Sequence, residues 1–575
     1  MKRVDAKKKQ NWIYVVCDML FVGVLLIITW QFERIQWDTS DDVVMSARLA
    51  GWSTGIPNEE TVYEGALWGK FVKSLYTLFG NVPWYSFLYI FFIWVSLSVC
   101  FWSFRTKYTE SLKDFVIRLL WFMPVYIGVF LWPATQMQFT TTTALIGSSI
   151  LCLIIKSESN TDGLMDWKIY LIIIGLLSLF MFELRLEVCY IWLGVIIYTY
   201  AVSLIFSKKE LSRIVVEFGL IALIFVFVVL SNLLHDKLSG EWEYKHIYDS
   251  ERRQYTDYDE LPYDDYRELY GDIGWSKELI PLTRDFFLMD RNINAEAFSR
   301  INETRRGLEN GNILGKLKDG IRRVYAYPYY NNLCMAGIIA CGCLGIVFLR
   351  LKNKKIRVTI FSACSYLVMF GLGAVMIAGN GRFENRVFWM LMITLIPPMV
   401  LQISNVNREL SNDNTLATKK NIRILAMASG ILVLACLVVG GFGQMKNRID
   451  KTEAERIYKL IAEYCNDNAD NVYIRDGSIE DIVNPLDVIE KGAFSNLFSW
   501  GGWEMNSAVY YDQLRINGLD ELYSEDFFND RVFMISRSDN YIKMMNDYMV
   551  AKYPDSTLEI VDKNADFTVY RFNHH

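Results

Sequence analysis

The sequence predicts a polytopic α-helical membrane protein of about eleven transmembrane helices carrying a C-terminal α/β domain. Three observations lead there. Apolar runs long enough to cross a bilayer recur along the first three quarters of the chain. Lysine and arginine collect on alternate connections between them. The last stretch, by contrast, mixes helical periodicity with short β-rich runs. Composition agrees: 52% apolar residues beside 21% charged residues in 575 positions is too apolar for an ordinary soluble protein and too charged for a bare bundle. Eleven spans of ~20 residues occupy ~220 positions and leave the rest for loops and water-facing domains. Disorder, collagen-like repeats and a small disulfide scaffold are excluded.

The spans are expected near Trp12 to Trp30, Trp84 to Phe104, Phe115 to Trp132, Phe139 to Ile155, Trp167 to Phe182, Val188 to Phe206, Ile214 to Leu234, Leu333 to Leu349, Val358 to Ala378, Val387 to Ile403 and Ile422 to Phe442. Lys2, Arg3, Lys7, Lys8 and Lys9 precede the first, but no small-residue cleavage site follows it, so it reads as a retained anchor. With a cytoplasmic N-terminus, the inner loops hold Arg105, Lys107, Lys113, Lys156, Lys168, Lys208, Lys209, Arg213, the Arg350–Arg357 cluster, Arg408, Lys419, Lys420 and Arg423. The short outer loops hold only Arg185, Arg382 and Arg386. This alternation is what the positive-inside rule requires. Three long segments then face outward: 31–83, 235–332 and 443–575. The organisation expected is a transmembrane module over 1–443, including the outer loops 31–83 and 235–332, followed by an extracytoplasmic α/β domain over 444–575.

In that last domain, Asp450 to Tyr464 and Tyr541 to Tyr553 have helical spacing, while Val472 to Ile474, Val532 to Ile535, Leu558 to Val561 and Phe567 to Phe572 read as strands. Nine of the ten cysteines lie in or beside apolar runs, and only Cys465 lies in a polar region, so no disulfide framework is implied. Undisulfided outer segments suit a bacterial surface.

The first outer loop carries the most suggestive chemistry. Trp37-Asp38-Thr39-Ser40-Asp41-Asp42 places adjacent carboxylates just beyond the first span. At a lipid boundary each needs a partner or a task, such as deprotonating a hydroxyl or holding a metal. The same residues also suit the start of a helix, through capping and the helix dipole. Downstream, Leu67, Phe71, Leu75 and Leu78 form one apolar face, which fits a helix lying in the membrane interface.

Two short outer loops supply opposite charge. Glu183-Leu184-Arg185-Leu186-Glu187 and Gly379-Asn380-Gly381-Arg382-Phe383-Glu384-Asn385-Arg386 interrupt apolar sequence with ionisable groups that are costly there. Arg382, Arg386 and Arg185 could bind phosphate oxygens with their planar forks. Mutual pairing with Glu183, Glu187 and Glu384 would serve equally, and those glutamates could instead meet sugar hydroxyls. Ser499-Trp500-Gly501-Gly502-Trp503 offers either a sugar platform, through Trp500 and Trp503, or a turn packed by aromatics. The acidic, tyrosine-rich run from Tyr255 to Asp272 is either a sugar groove or a solvated face. Asp18, inside the first span, reads as capping or pairing locally.

Other chemistries lack their residues. A net charge of −5 offers no basic surface for nucleic acid. Four scattered histidines give no zinc spacing, and no Walker loop, Gly-x-Ser-x-Gly elbow or dinucleotide fingerprint occurs.

The first span leading into an outer loop with an acidic pair and a surface helix, about eleven spans, and a C-terminal outer domain together resemble the GT-C superfamily of membrane glycosyltransferases. Ser40-Asp41-Asp42 through Gly51, Thr54-Gly55-Ile56-Pro57, Leu75-Tyr76 and Val82-Pro83-Trp84-Tyr85 look like bacterial surface-glycan members of it. The resemblance implies a polyprenyl-phosphate sugar donor, a glycan or glycolipid acceptor, and an outer-loop Asp, here Asp41 or Asp42, as general base of an inverting transfer at the bacterial plasma membrane. It requires no cofactor, and leaves open a divalent ion, Mg or Mn, bridging Asp41 and Asp42. A lipid-linked glycan polymerase or ligase, a polyprenol-lipid flippase or transporter, and a non-catalytic scaffold are the alternatives.

Overall fold

The computed structural model describes every residue except 1, 106–109, 159–166, 207–210, 239, 259, 309–312, 380–383, 413–419 and 575. Among the described residues, eleven helices are long and apolar enough to cross a membrane, from Ile13–Phe32 to Lys420–Lys446. They fall where the sequence places them. The fourth, Phe139–Ser157, is the centre of the bundle and is wholly buried. That position explains its modest hydropathy: Thr140 to Thr143, Ser148 and Ser149 face protein instead of lipid, so small hydroxyl residues replace the aliphatic side chains of a lipid-facing span. Close approach is built in as well. Trp192 Nε1 donates to the Gly147 carbonyl at 2.8 Å, and a Cβ at Gly147 would lie 2.6 Å from that indole.

Helix interruptions follow proline at one place and not at another. The third span contains Pro124 and widens into a π-turn over Tyr126–Phe130 before resuming at Leu131–Thr135. The tenth runs through Pro397 and Pro398 without a break. Asp18 corrects the sequence reading. It pairs neither with a neighbour nor with a cap, but across the bundle with Arg118 at 2.8 Å and Arg105 at 3.0 Å, all three buried. A carboxylate at that depth requires such bidentate partners.

The three long polar segments gather at one end of the bundle. Strand β1 (Gln36–Trp37) pairs in parallel with β2 (Gln136–Met137), and the side chains of Gln36 and Gln136 are bonded at 2.8 Å. This two-residue ladder fixes the start of the first segment to the entrance of the fourth span. The Ala66–Leu78 helix buries Trp68, Gly69, Val72 and Tyr76 and leaves Phe71 and Leu78 exposed. Leu67 and Leu75 of the expected apolar face are half-buried.

The C-terminal region holds a five-stranded sheet of β3 (Val472–Arg475), β4 (Leu497–Ser499), β5 (Val532–Ser536), β6 (Ser556–Lys563) and β7 (Thr568–His574) in the order β4-β3-β5-β7-β6. β3 runs parallel to β4 and β5, and β7 antiparallel to β5 and β6. Helices Thr452–Asp467 and Asp539–Lys552 match the expected ones. β4 is additional. Three residues between turns carry too little alternation to be read as a strand.

The central segment forms helices Gly240–Asp257, Arg267–Asp272, Leu279–Arg284, Ala295–Leu308 and Ile313–Tyr325. Although contiguous in sequence with the spans, its Tyr248, Trp275, Phe287 and Phe298 share one hydrophobic core with Val472, Phe498, Trp500 and Tyr548 of the C-terminal region. Backbone bonds from Gly492 N–H to the Gly51 carbonyl and from Phe494 N–H to the Trp52 carbonyl, both 3.0 Å, tie that region to the first segment.

Candidate active site

Where the three segments meet the bundle they enclose a cavity of about 810 Å³. Its wall includes the start of the Ser40–Ala50 helix. Thr39 precedes this helix in an extended conformation, and the helix ends at Gly51, whose φ of 77° lets its N–H reach the carbonyls of Ala47 and Arg48. A Cβ at Gly51 would lie 2.6 Å from the Ile56 carbonyl carbon, so only glycine fits there. Consecutive helical residues point about 100° apart. Asp41 and Asp42 therefore face different surroundings.

Asp41 lines the cavity. Its Oδ1 accepts the Trp503 indole N–H at 2.9 Å, and its Oδ2 accepts from Arg386 Nη1 at 3.1 Å. Arg386 also pairs through Nε with Glu384 at 2.8 Å. Asp42 is fully buried away from the cavity. It accepts the backbone N–H of Phe139 at 3.0 Å and the Thr39 hydroxyl at 3.3 Å, so it caps the helix of the fourth span instead of its own. Burial, then the nearby Glu64 and Asp41, push its carboxyl well above the usual range. Asp38 is raised to about 6, again chiefly by burial.

Aromatic rings carry the cations. Tyr63 and Trp503 meet edge to face with centroids 5.0 Å apart. The Arg185 guanidinium lies 4.2 Å over Tyr63 and pairs through Nε with Glu187 at 2.9 Å. Arg252 lies 4.0 Å over Trp503. The Trp503 carbonyl accepts from Arg48, which fixes the indole from behind. On the C-terminal side Arg475 donates to the Ile479 carbonyl at 2.9 Å and pairs with Asp481. Glu504 beside them is pushed up, first by burial, against the pull of Arg48 and Arg475.

Seven of the residues singled out from the sequence thus line one cavity: Asp41, Arg185, Glu187, Glu384, Arg386, Trp500 and Trp503. Trp500 is nevertheless almost entirely buried, with its N–H directed to the Asp285 carbonyl at 3.2 Å, so it builds the wall more than a platform. Asp42 and Glu183 do not line it. Expected as a sugar contact, Glu183 instead accepts the Trp68 N–H at 3.0 Å and receives Gly65 N–H on its carbonyl at 2.6 Å, pinning the start of the Ala66–Leu78 helix. Arg382 lies outside the described residues. In the acidic run, Asp257 reaches the cavity, while Asp264, Asp265 and Glu268 are exposed.

Sequence reasoning missed Arg252, Arg253, Asp476 and Asp481. Arg252 and Arg253 lie just before the Tyr255 to Asp272 run, and only the tertiary packing buries Arg252. The two adjacent carboxylates do not form a shared metal donor set, because Asp41 serves Arg386 and Trp503 whereas Asp42 serves Phe139. Among the described residues, no group of three or more His, Cys, Asp or Glu side chains is placed to hold a metal ion.

Fold and site together define a multi-pass membrane protein with a charged cavity roofed by an α/β region. No family model and no curated protein matches the sequence. Solved structures are similar over nearly the whole chain. ArnT from Cupriavidus metallidurans bound to undecaprenyl phosphate is 11% identical with a TM-score of 0.39, covering 97% of each chain. Its apo state gives 11% and 0.38 over the same shares. The arabinofuranosyltransferase AftD from Mycobacteria is 10% identical with a TM-score of 0.39, covering 98% of this chain and 40% of its own.

Proposed function

We propose that this protein is a GT-C-type membrane glycosyltransferase that moves a sugar from a polyprenyl-phosphate donor to a cell-surface glycan or glycolipid. The observation that carries the reading is Asp41, held by Arg386 and Trp503 on the wall of a cavity at the end of an eleven-span bundle. A carboxylate fixed from two sides and facing an open volume is placed to take a proton from a hydroxyl. The acceptor oxygen, losing its proton to Asp41, bonds to the anomeric carbon from the face opposite the leaving group. The bond from that carbon to the phosphate oxygen breaks, and its electron pair leaves on the polyprenyl phosphate, with inversion. Cationic guanidinium groups on the same wall stabilise the charge that develops there.

In this reading the N-terminus is cytoplasmic and the cavity opens on the outer side of a bacterial plasma membrane, and the distribution of Lys and Arg supports that orientation. Asp41 alone serves as base, because Asp42 is committed to Phe139. A flippase would place its substrate groups near the bilayer midplane, whereas the charges that line the cavity gather where the bundle meets the C-terminal region. The test is reconstitution of the full chain in proteoliposomes with a radiolabelled polyprenyl-phosphate sugar and extracted envelope lipids and glycans. Label in the acceptor supports the proposal. Translocation without transfer points to a flippase, and neither outcome points to a scaffold; both refute it.

A further inference from the structure

The Ile313–Tyr325 helix closes the central segment just before the eighth span, Asn331–Arg350. One of its faces is spent on the bundle. A Cβ at Gly320 would lie 2.2 Å from the Val375 carbonyl oxygen, and a Cβ at Gly379 would lie 2.3 Å from the Lys316 carbonyl oxygen, so the helix rests backbone to backbone on the C-terminal end of the ninth span, Lys354–Gly379. That contact sets its height. Leu372 and Met376 of the same span are exposed, as residues facing lipid are, and the helix lies across the last turn of this surface.

The face beside the contact is apolar and uncovered. Leu314, Leu317, Ile321 and Tyr325 recur every three or four residues and therefore form one row along the helix. All four are exposed, Leu314 by 77% and Tyr325 by 70%. At about 100° per residue, Lys318 and Arg322 stand one turn apart along the open edge of that row, whereas Lys316 and Asp319 fall on the opposite side of the helix; all are exposed. The helix carries four basic residues, Lys316, Lys318, Arg322 and Arg323, against one acid, Asp319. An apolar row bordered by cations belongs to a helix lying in the membrane surface, with the row in the acyl boundary and the cations among the headgroups. Two features choose the occupant: the chain runs from this helix directly into a span, and the bordering charge is positive.

We infer that the Ile313–Tyr325 helix is a docking face for anionic lipid, with Leu314, Leu317, Ile321 and Tyr325 entering the bilayer surface and Lys318 and Arg322 meeting the negative headgroups. Docked in this way it braces the end of the ninth span, from which the 379–386 connection leads to Arg386, the partner of Asp41. The inference goes beyond the proposed function and does not depend on it.

The test is hydrogen–deuterium exchange of the purified full chain in nanodiscs of phosphatidylcholine alone or mixed with an equal amount of phosphatidylglycerol, with the Asp539–Lys552 helix as internal reference. Amides of the Ile313–Tyr325 helix are expected to exchange about tenfold more slowly in the anionic discs, the scale of two cations at a negative surface. About 1 M salt should remove that difference, since the screening length falls to about 3 Å. K318Q/R322Q should abolish it, K316Q should keep it, and L317S/I321S should speed exchange in both lipids about fivefold or more. These are exposed positions, so the variants retain the fold. Equal exchange of the wild type in the two lipids, a difference that survives in K318Q/R322Q, or one lost in K316Q overturns the inference. Protection in detergent equal to that in anionic discs would show the row covered by protein, such as a second copy of the chain, and overturns it as well. A protein that shows the lipid response but transfers no sugar keeps the docking face and loses the proposed function; transfer without the lipid response does the reverse.

Discussion

The Trp503 indole N–H reaches Asp41 Oδ1 at 2.9 Å although the two residues are 462 positions apart in the chain. The C-terminal region therefore completes the cavity wall that the first outer loop begins, and Asp41 is held from that region as well as from the bundle.

Removing that single donor while keeping a ring is the corresponding test. Trp503→Phe should lower kcat for sugar transfer about tenfold, the value of one hydrogen bond to a charged group. Circular dichroism and the thermal midpoint should stay near wild type, because the packing against Tyr63 is retained. A kcat equal to wild type would show that the contact does not position Asp41.

Asp42 is expected to be structural. Asp42→Asn keeps an acceptor for the Phe139 N–H and should retain both fold and transfer. Asp42→Ala leaves that N–H buried and unpaired, which costs about 1–3 kcal/mol and should lower the thermal midpoint. Loss of transfer in a stable Asp42→Asn protein would make Asp42 the base instead.

Stability should fall as pH rises from acid to neutral. Glu64 is buried against Tyr85 and Tyr89, and burial raises it from its ordinary 4.5 to about 7. A carboxyl raised in the folded state contributes stability that is complete below its unfolded value and is lost as pH climbs through its folded one. The thermal midpoint should therefore be lower at pH 8 than at pH 5, with Asp38, raised to about 6, acting in the same direction. Glu64→Gln should flatten that slope. An equal slope in the variant would show that Glu64 is not the group responsible.

The fold was legible because its signals are local. Each span needs ~20 apolar residues in a row, and even the fully buried fourth span keeps enough of them to be found. The strand β4 was not, since three residues lack a period. For the site, Arg185 and Arg386 stood out as charges interrupting apolar sequence, which is expensive enough to be conspicuous, and Asp41 as one of two adjacent carboxylates just beyond the first span. Arg252 did not, because it lies among Asp, Glu and Arg on a polar helix, and its burial arises only when Trp503 packs on it from the far end of the chain. Asp41 and Asp42 could not be told apart either. Their difference is one step of helical rotation, whose meaning depends on where the cavity and Phe139 lie.

The central claim is that Asp41 takes the acceptor proton. Steady-state transfer of labelled sugar from a polyprenyl-phosphate donor should be measured for Asp41→Asn in proteoliposomes, alongside donor binding. General-base catalysis supplies about 10²–10⁴-fold, so kcat should fall by that factor while donor Kd changes little and the thermal midpoint is retained. Transfer at the wild-type rate by a folded Asp41→Asn protein would contradict the account.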